Sequence, residues 1–159
     1  ESNYLLETRR LESLMRVKEA FQQMKKRLDS GTLDPWMQRL SQTIQRITSD
    51  RYMDLDFDGG EVTRSSGIMI PHELLSMGTR ASMGFSIRLS MAAHFLEGLD
   101  GFLILDDPMV DLDADRQRKT ADVLREFAEH NQVILLTCHG AHAALLTQSP
   151  LRITRDGEG

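Results

Sequence analysis

The sequence is poor in the features that staple or anchor a chain. Its 159 residues include one cysteine, Cys138, which excludes an internal disulfide and points to a reducing cytoplasm. No apolar run approaches the roughly 20 residues that cross a bilayer, and Glu1 to Arg10 holds no apolar signal-peptide core. Positive charge is not in excess either. A net charge of -5 gives no global pull toward nucleic acid, so such a contact would need a local basic face, a partner or more chain. No Gly-x-x-x-x-Gly-Lys-Ser/Thr run occurs, and the only Gly-Gly, Gly59-Gly60, is followed by Glu61. The chain therefore lacks a phosphate-cradling loop with its lysine. What remains, 40% hydrophobic and 27% charged, is an ordinary globular composition for one domain with an appendage. The chain starts at Glu1, already in helical register, which suggests a fragment.

In chain order, Leu14, Val17, Phe21, Met24 and Leu28 are spaced 3, 4, 3 and 4, a seam of about two heptads. Residues 1–30 read as the end of a coiled coil or as an amphipathic helix lying on its own core. Arg9, Arg10, Arg16, Lys18, Lys25, Lys26 and Arg27 give it a basic face, either solvated or turned to DNA. Asp34-Pro35 starts a helix whose apolar stripe is Trp36, Met37, Leu40, Ile44 and Ile47. Tyr52 to Asp58 alternates, with Met53, Leu55 and Phe57 on one face, and turns at Asp58-Gly59-Gly60 into a return strand. Asp54-x-Asp56-x-Asp58-Gly59 mimics a calcium loop, but its twelfth position is Ser65 where a Glu is needed, and its flanks are strands.

A helix over about 79–94 carries Met83, Ile87, Met91 and Phe95 on one face, widened by Leu89 and Ala92. From Gly101 the pattern is strand, helix, strand, helix: a buried strand to Leu105, a helix Ala114 to His130, a strand Val133 to Thr137, a short helix Ala141 to Thr147 and an edge strand Leu151 to Thr154. That is an α/β sheet with ligands expected at the carboxyl ends of the strands. Asp106, Asp107 and His139 fall there.

An apolar strand ending in Asp106 is a good place to hold hydrated Mg²⁺ beside phosphates. Asp107, one residue on, could orient or deprotonate a water. Either could instead cap the next segment. His139 could reach the same phosphate or be structural. Cys138, His139 and His142 have no second Cys or His pair elsewhere to complete a zinc site. Ser76-x-Gly78 opens a helix, where free N–H groups favour an anion, or where Ser76 is a plain N-cap.

Taken together these motifs resemble the C-terminal half of an ABC-type ATPase head. Leu75-Ser76-Met77-Gly78-Thr79 is similar to the signature motif, Asp106 to the Walker B aspartate, Val110-Asp111-Leu112-Asp113 to the D-loop and His139 to the switch histidine. The resemblance covers about residues 50 to 155. With the heptads, it leans to the SMC-like branch, and the wording Leu-Ser-x-Gly-Thr-Arg and Leu-Asp-Asp-Pro is most similar to the SbcC- and YhaN-like ATPases.

The resemblance implies a fold: the C-terminal lobe of an ABC-type head over residues 31–159, mostly parallel sheet flanked by helices with a small antiparallel region, after the base of a coiled coil. It implies roles: Asp107 and His139 catalytic, Asp106 on the metal, and Ser76, Met77, Gly78, Thr79, Arg80, Asp111 and Asp113 binding nucleotide. ATP and Mg²⁺ are the implied cofactors. The implied partners are the N-terminal Walker A half, a second head, DNA and an SbcD-type nuclease subunit, in a nucleoid-associated, cytoplasmic setting with no membrane. Without the Walker A half, this chain is expected to be inactive. Met77 replaces the first signature glycine, Thr79 the usual Gln or Glu, and Asp107 the usual Glu. These departures mark a branch or slow hydrolysis. A non-hydrolysing clamp or scaffold of the RecF, RecN or SMC type, in chromosome organisation or defence, is the alternative. An unrelated α/β interaction module is a third reading.

Overall fold

The computed structural model describes residues 34–99 and 101–153. The expected coiled-coil segment, residues 1–30, lies outside the described residues. The chain divides into two compact units, Glu1–Gln38 and Arg39–Gly159. Of the first, only the opening of helix α1 is described, and all that follows concerns the second.

Helix α1 (Asp34–Thr48) buries Leu40, Ile44 and Ile47 completely, the stripe its sequence spacing predicts. Three antiparallel strands follow: β1 (Tyr52–Asp56), β2 (Glu61–Arg64) and β3 (Met69–Pro71), in the order β1-β2-β3. The Asp56 carboxylate sets the β1–β2 turn by accepting from the N–H groups of Asp58 (2.9 Å) and Gly59 (3.0 Å). A Cβ on Gly59 would lie 2.5 Å from that carboxylate, so the turn needs glycine there. These acidic side chains serve the backbone, as strand and turn residues do.

One expectation fails here. Tyr52 is the buried residue of β1 and Phe57 is 40% exposed, whereas alternation predicts Met53, Leu55 and Phe57 inward. The register shifts between Tyr52 and Asp54, and such a bulge sends the flanking residues to opposite faces.

After a one-turn 3₁₀ helix (His72–Leu74), helix α2 runs from Met77 to Leu96. Its inward face is Thr79, Ser82, Met83, Phe85, Ser86, Leu89 and Ser90, rotated from the Met83-Ile87-Met91-Phe95 face expected. Serines supply the reason. Ser82 and Ser86 donate to the carbonyls of Gly78 and Ser82, each at 2.8 Å, so these small hydroxyls bury at little cost and let neighbouring elements approach.

Strand β4 (Phe102–Asp106) pairs in parallel with β5 (Gln132–Leu136), register Phe102↔Gln132 through Asp106↔Leu136. Helix α3 (Ala114–Ala128) is the crossover, and α4 (Gly140–Leu146) follows β5. Among the described residues, 151–153 form no strand, and Leu151 and Ile153 are almost fully exposed, unlike the edge strand expected over Leu151 to Thr154.

The core gathers Ile47, Phe85, Leu89, Leu105, Val123 and Leu124, with Leu103, Val133 and Leu135 packed against it. Only one face of the parallel pair is covered. Phe102 (55%), Ile104 (54%), Ile134 (39%) and Leu136 (45%) stand exposed on the other face, although parallel strands are normally buried on both.

Candidate functional site

The register of β4 and β5 ends both strands at one level, with Asp106 opposite Leu136. Asp106 is exposed at the strand tip. Asp107 then turns out of the sheet with φ of +40°, its N–H donating to the Leu136 carbonyl at 2.9 Å. This tie across the strand ends brings its side chain to the loop after β5. There the Thr137 hydroxyl donates to Asp107 Oδ1 (2.5 Å) and the Cys138 thiol lies 3.5 Å from Oδ2. Thr137 Oγ1 in turn accepts from the His139 N–H at 3.1 Å.

The Thr137 hydrogen bond holds the Asp107 carboxyl below the usual aspartate range. Desolvation opposes it, and the Cys138 thiol and the charge of His139 add to the lowering. The same contact works in reverse on Cys138, whose thiol is pushed up first by its hydrogen bond to Asp107 and then by that residue's charge. An aspartate fixed in ionised form beside a histidine can accept a hydrogen bond from water and aim it.

His139 stands at the N-cap position of α4 with its side chain free of any capping bond, and its ring centroid lies 4.7 Å from that of His142, with planes tilted by 46°. His142 is buried. Its Nε2 lies 3.0 Å from Gln117 Nε2, and Gln117 also reaches the carbonyls of Leu112 (2.9 Å) and Met109 (3.3 Å). Side-chain ligand atoms of Asp107, His139 and His142 lie within 4.8 Å of one another. A tetrahedral zinc brings its donors to about 3.4 Å from one another, a tighter set than the 4.8 Å spread alone requires.

The second group is built on the first turn of α2. Ser76 is its N-cap, with Oγ accepting from the Thr79 N–H (3.3 Å) and sharing a hydrogen bond with the Thr79 hydroxyl (2.9 Å). Ser76, Met77 and Arg80 face solvent, whereas Thr79 is buried. Gly78 lets another loop press in: a Cβ there would sit 3.0 Å from the Asp111 carbonyl oxygen and 3.3 Å from Arg116 Nη1.

Asp113 caps α3, accepting from the N–H groups of Asp115 and Arg116. The Arg116 guanidinium, 8% exposed, bridges Thr79 Oγ1 (3.2 Å) and Asp113 Oδ2 (3.5 Å). So the 76–80 turn and the 111–113 loop form one unit, with exposed Asp111 at its surface.

The structure thus brings Asp107 and His139 together with His142, leaves Asp106 exposed at the adjoining strand tip, and joins Ser76–Arg80 to Asp111 and Asp113. Sequence reading missed Thr137, Arg116 and Gln117. Asp113 and Arg116, three apart at a helix start, carried a signal in their spacing. Thr137 and Gln117 carried none.

No family model matches the sequence. The DNA double-strand break repair Rad50 ATPase of Sulfurisphaera tokodaii is 29% identical over 133 residues, 84% of this chain and 15% of that protein. The Rad50 ATPase of Methanopyrus kandleri is 34% identical over 96 residues, 58% of this chain and 11% of that protein. The chain thus spans a small part of the length of the curated relatives it matches. In fold it is similar to the Smc head domain of Pyrococcus furiosus bound to the C-terminal domain of ScpA, with a TM-score of 0.59 at 16% identity, covering 84% of this chain and 35% of that one. A structure from work on ATP-driven dimerization of SMC ATPases gives the same score and identity, covering 81% of this chain and 84% of that one. At that identity the likeness is one of fold, and the α/β arrangement with its small antiparallel sheet matches the C-terminal lobe of such heads.

Proposed function

We propose that this chain, the C-terminal half of an SMC/Rad50-type ATPase head, completes an ATP-hydrolysing site when joined to an N-terminal half that carries the phosphate loop. The observation that carries this reading is the common end of β4 and β5, where Asp107 lies close to His139 and Asp106 stands at the adjoining strand tip. The bare apolar face of the same two strands supports it, because that face needs a cover of the kind the missing half would bring.

In this reading Asp107, held ionised by Thr137, orients the attacking water, and His139 contacts the terminal phosphate. Asp106 offers an exposed, hard oxygen donor at a strand tip, the ligand type that suits magnesium. Such an ion, when bound, neutralises charge on the phosphates. Ser76, Gly78 and the free N–H groups of the α2 start receive the nucleotide of a second head. Met77 and Arg80 line that surface, and Thr79, turned inward, holds its shape with Arg116. Asp111, exposed next to Gly78, faces the same partner head.

ATP binding then draws two heads together and hydrolysis parts them. The work served is DNA-end processing, alone or with a nuclease subunit, in a nucleoid-associated setting. The names of the Rad50 relatives support this. DNA contact would rest on the basic residues among the first 30, since the chain as a whole is acidic.

The test is to express this half with its N-terminal half and measure phosphate release. Asp107→Asn and Ser76→Arg should each suppress turnover, and unchanged turnover in both sinks the reading. A second reading, a clamp that binds ATP without turnover, draws on Met77, 63% exposed where a glycine is usual. Trapped ATP without released phosphate would select it.

A further inference from the structure

Gln117 and His142 have no part in the site as proposed, yet they join its two loops. The side-chain amide of Gln117 has two hydrogens and three acceptors. The shorter contacts, Leu112 O at 2.9 Å and His142 Nε2 at 3.0 Å, take them, and Met109 O at 3.3 Å shares one. Turning the amide over would set its oxygen against two carbonyl oxygens, so the donor is fixed. A neutral imidazole has one donor and one acceptor. With Nε2 accepting, the proton of His142 must sit on Nδ1.

That Nδ1 is buried and has no hydrogen-bond partner among the described residues. A buried N–H with nothing to donate to is unfavourable unless another state of the molecule supplies an acceptor. Two groups near the His142 ring can accept: the Asp107 carboxylate, in the set of ligand atoms that lie within 4.8 Å of one another, and a ring nitrogen of His139, whose ring stands 4.7 Å from that of His142.

We propose that His142 is the positioning residue of this site: fixed by Gln117 as the Nδ1–H tautomer, it sets the orientation of His139 beside Asp107 and links both to the 109–112 loop. The proposal rests on the functional reading above for its meaning in catalysis, but its structural content does not. His142 touches no substrate. It packs against the ring that does, and its Nδ1–H is free to donate to that ring or to Asp107 when the site closes on its nucleotide, as an outer-shell hydrogen bond fixes a ligating histidine. Because Gln117 also holds the Leu112 carbonyl, a shift of the 109–112 loop is felt at His139.

Two measurements test it. In the full chain labelled with ¹⁵N-histidine, His142 should show the Nδ1–H tautomer, opposite to the usual preference in water. Gln117→Leu should abolish that tautomer and shift the His139 ring signals. An Nε2–H tautomer in the unaltered chain, or His139 signals indifferent to Gln117→Leu, overturns the proposal. In the head completed with its N-terminal half, His142→Phe should lower kcat by about 10- to 100-fold with KM little changed. His142→Asn, whose Nδ2–H replaces Nδ1–H, should restore most of it. Equal loss in both variants overturns the positioning role, and so does no loss in either. If Asp107→Asn is also silent there, the ATPase reading has failed instead, and the labelled chain alone decides the link between Gln117, His142 and His139.

Discussion

Replacing Ile104 by Glu should leave the isolated chain folded, at a cost of about 1 kcal/mol, and abolish the association with an N-terminal half that the proposed function requires. Ile104 stands 54% exposed on the bare face of the parallel pair, among Phe102, Ile134 and Leu136. Each of the four is about half uncovered, so together they expose about two whole apolar side chains, and covering them is worth about 3–6 kcal/mol. In the isolated chain, the uncovered half of this position meets water and the covered half forfeits about 1 kcal/mol of burial, well below the cost of a core substitution. Under a covering partner, the same change forfeits about 1 kcal/mol of burial. It also traps an unpaired carboxylate, at a cost of several kcal/mol. A combined loss of about 4 kcal/mol is about a thousandfold in affinity. Leu105→Glu is the contrasting control, since Leu105 is 5% exposed on the core side of the same strand and its replacement should unfold the chain. Urea denaturation of the two variants and calorimetric titration with the N-terminal half read both quantities. If Ile104→Glu unfolds the chain as Leu105→Glu does, the face is not bare. If it titrates with unaltered affinity, that face is not where the other half sits.

Other outcomes follow from the same geometry. Thr137→Val should move the Asp107 titration back up toward the ordinary aspartate value of about 3.9, read by carboxyl ¹³C NMR. Because the folded state lowers this group, its ionised form favours folding above that value and the benefit fades as pH falls through the lowered midpoint, well below neutrality. Asp107→Asn should speed thiol–disulfide exchange at exposed Cys138, whose thiolate the aspartate disfavours, as followed by the coloured thiolate that an aromatic disulfide reagent releases. Gly78→Ala should cost about 1–3 kcal/mol because its Cβ meets the Asp111 carbonyl. Gly84→Ala, in open space on the same helix, should gain up to about 1 kcal/mol, and thermal melts separate the two. Phe85→Ala, at 1% exposure in the core, should cost about 3–5 kcal/mol in denaturant unfolding.

Much of this fold could be read from the chain because its signals are local. The Ser76 cap, the Asp58-Gly59-Gly60 turn and the two apolar runs ending at Asp106 and Leu136 each declare themselves within a few residues. What stayed hidden depends on packing. The inward face of α2 includes Ser82 and Ser86, whose hydroxyls are satisfied inside the helix, which a hydrophobic pattern cannot weigh. The bulge after Tyr52 moves β1 residues between faces without any change in sequence alternation. Asp106, Asp107 and His139 were placed at strand ends from the sequence. The fixing of Asp107 by Thr137, 30 residues away, needed the parallel register to be seen. So did the bridge from Arg116 to Thr79.

The backbone at Asp107 restricts the alphabet available to that position. A φ of +40° lies in a region that side chains avoid, and among residues other than glycine, Asn and Asp enter it most readily. An aspartate at this position therefore suits the chain conformation as well as the chemistry proposed for it. Extending it to Glu would trade tolerance of this conformation for a longer reach. Changing it to Asn would remove the charge and leave the backbone content. That makes Asp107→Asn the variant that tests the proposed role of this carboxylate without unsettling the backbone that holds it.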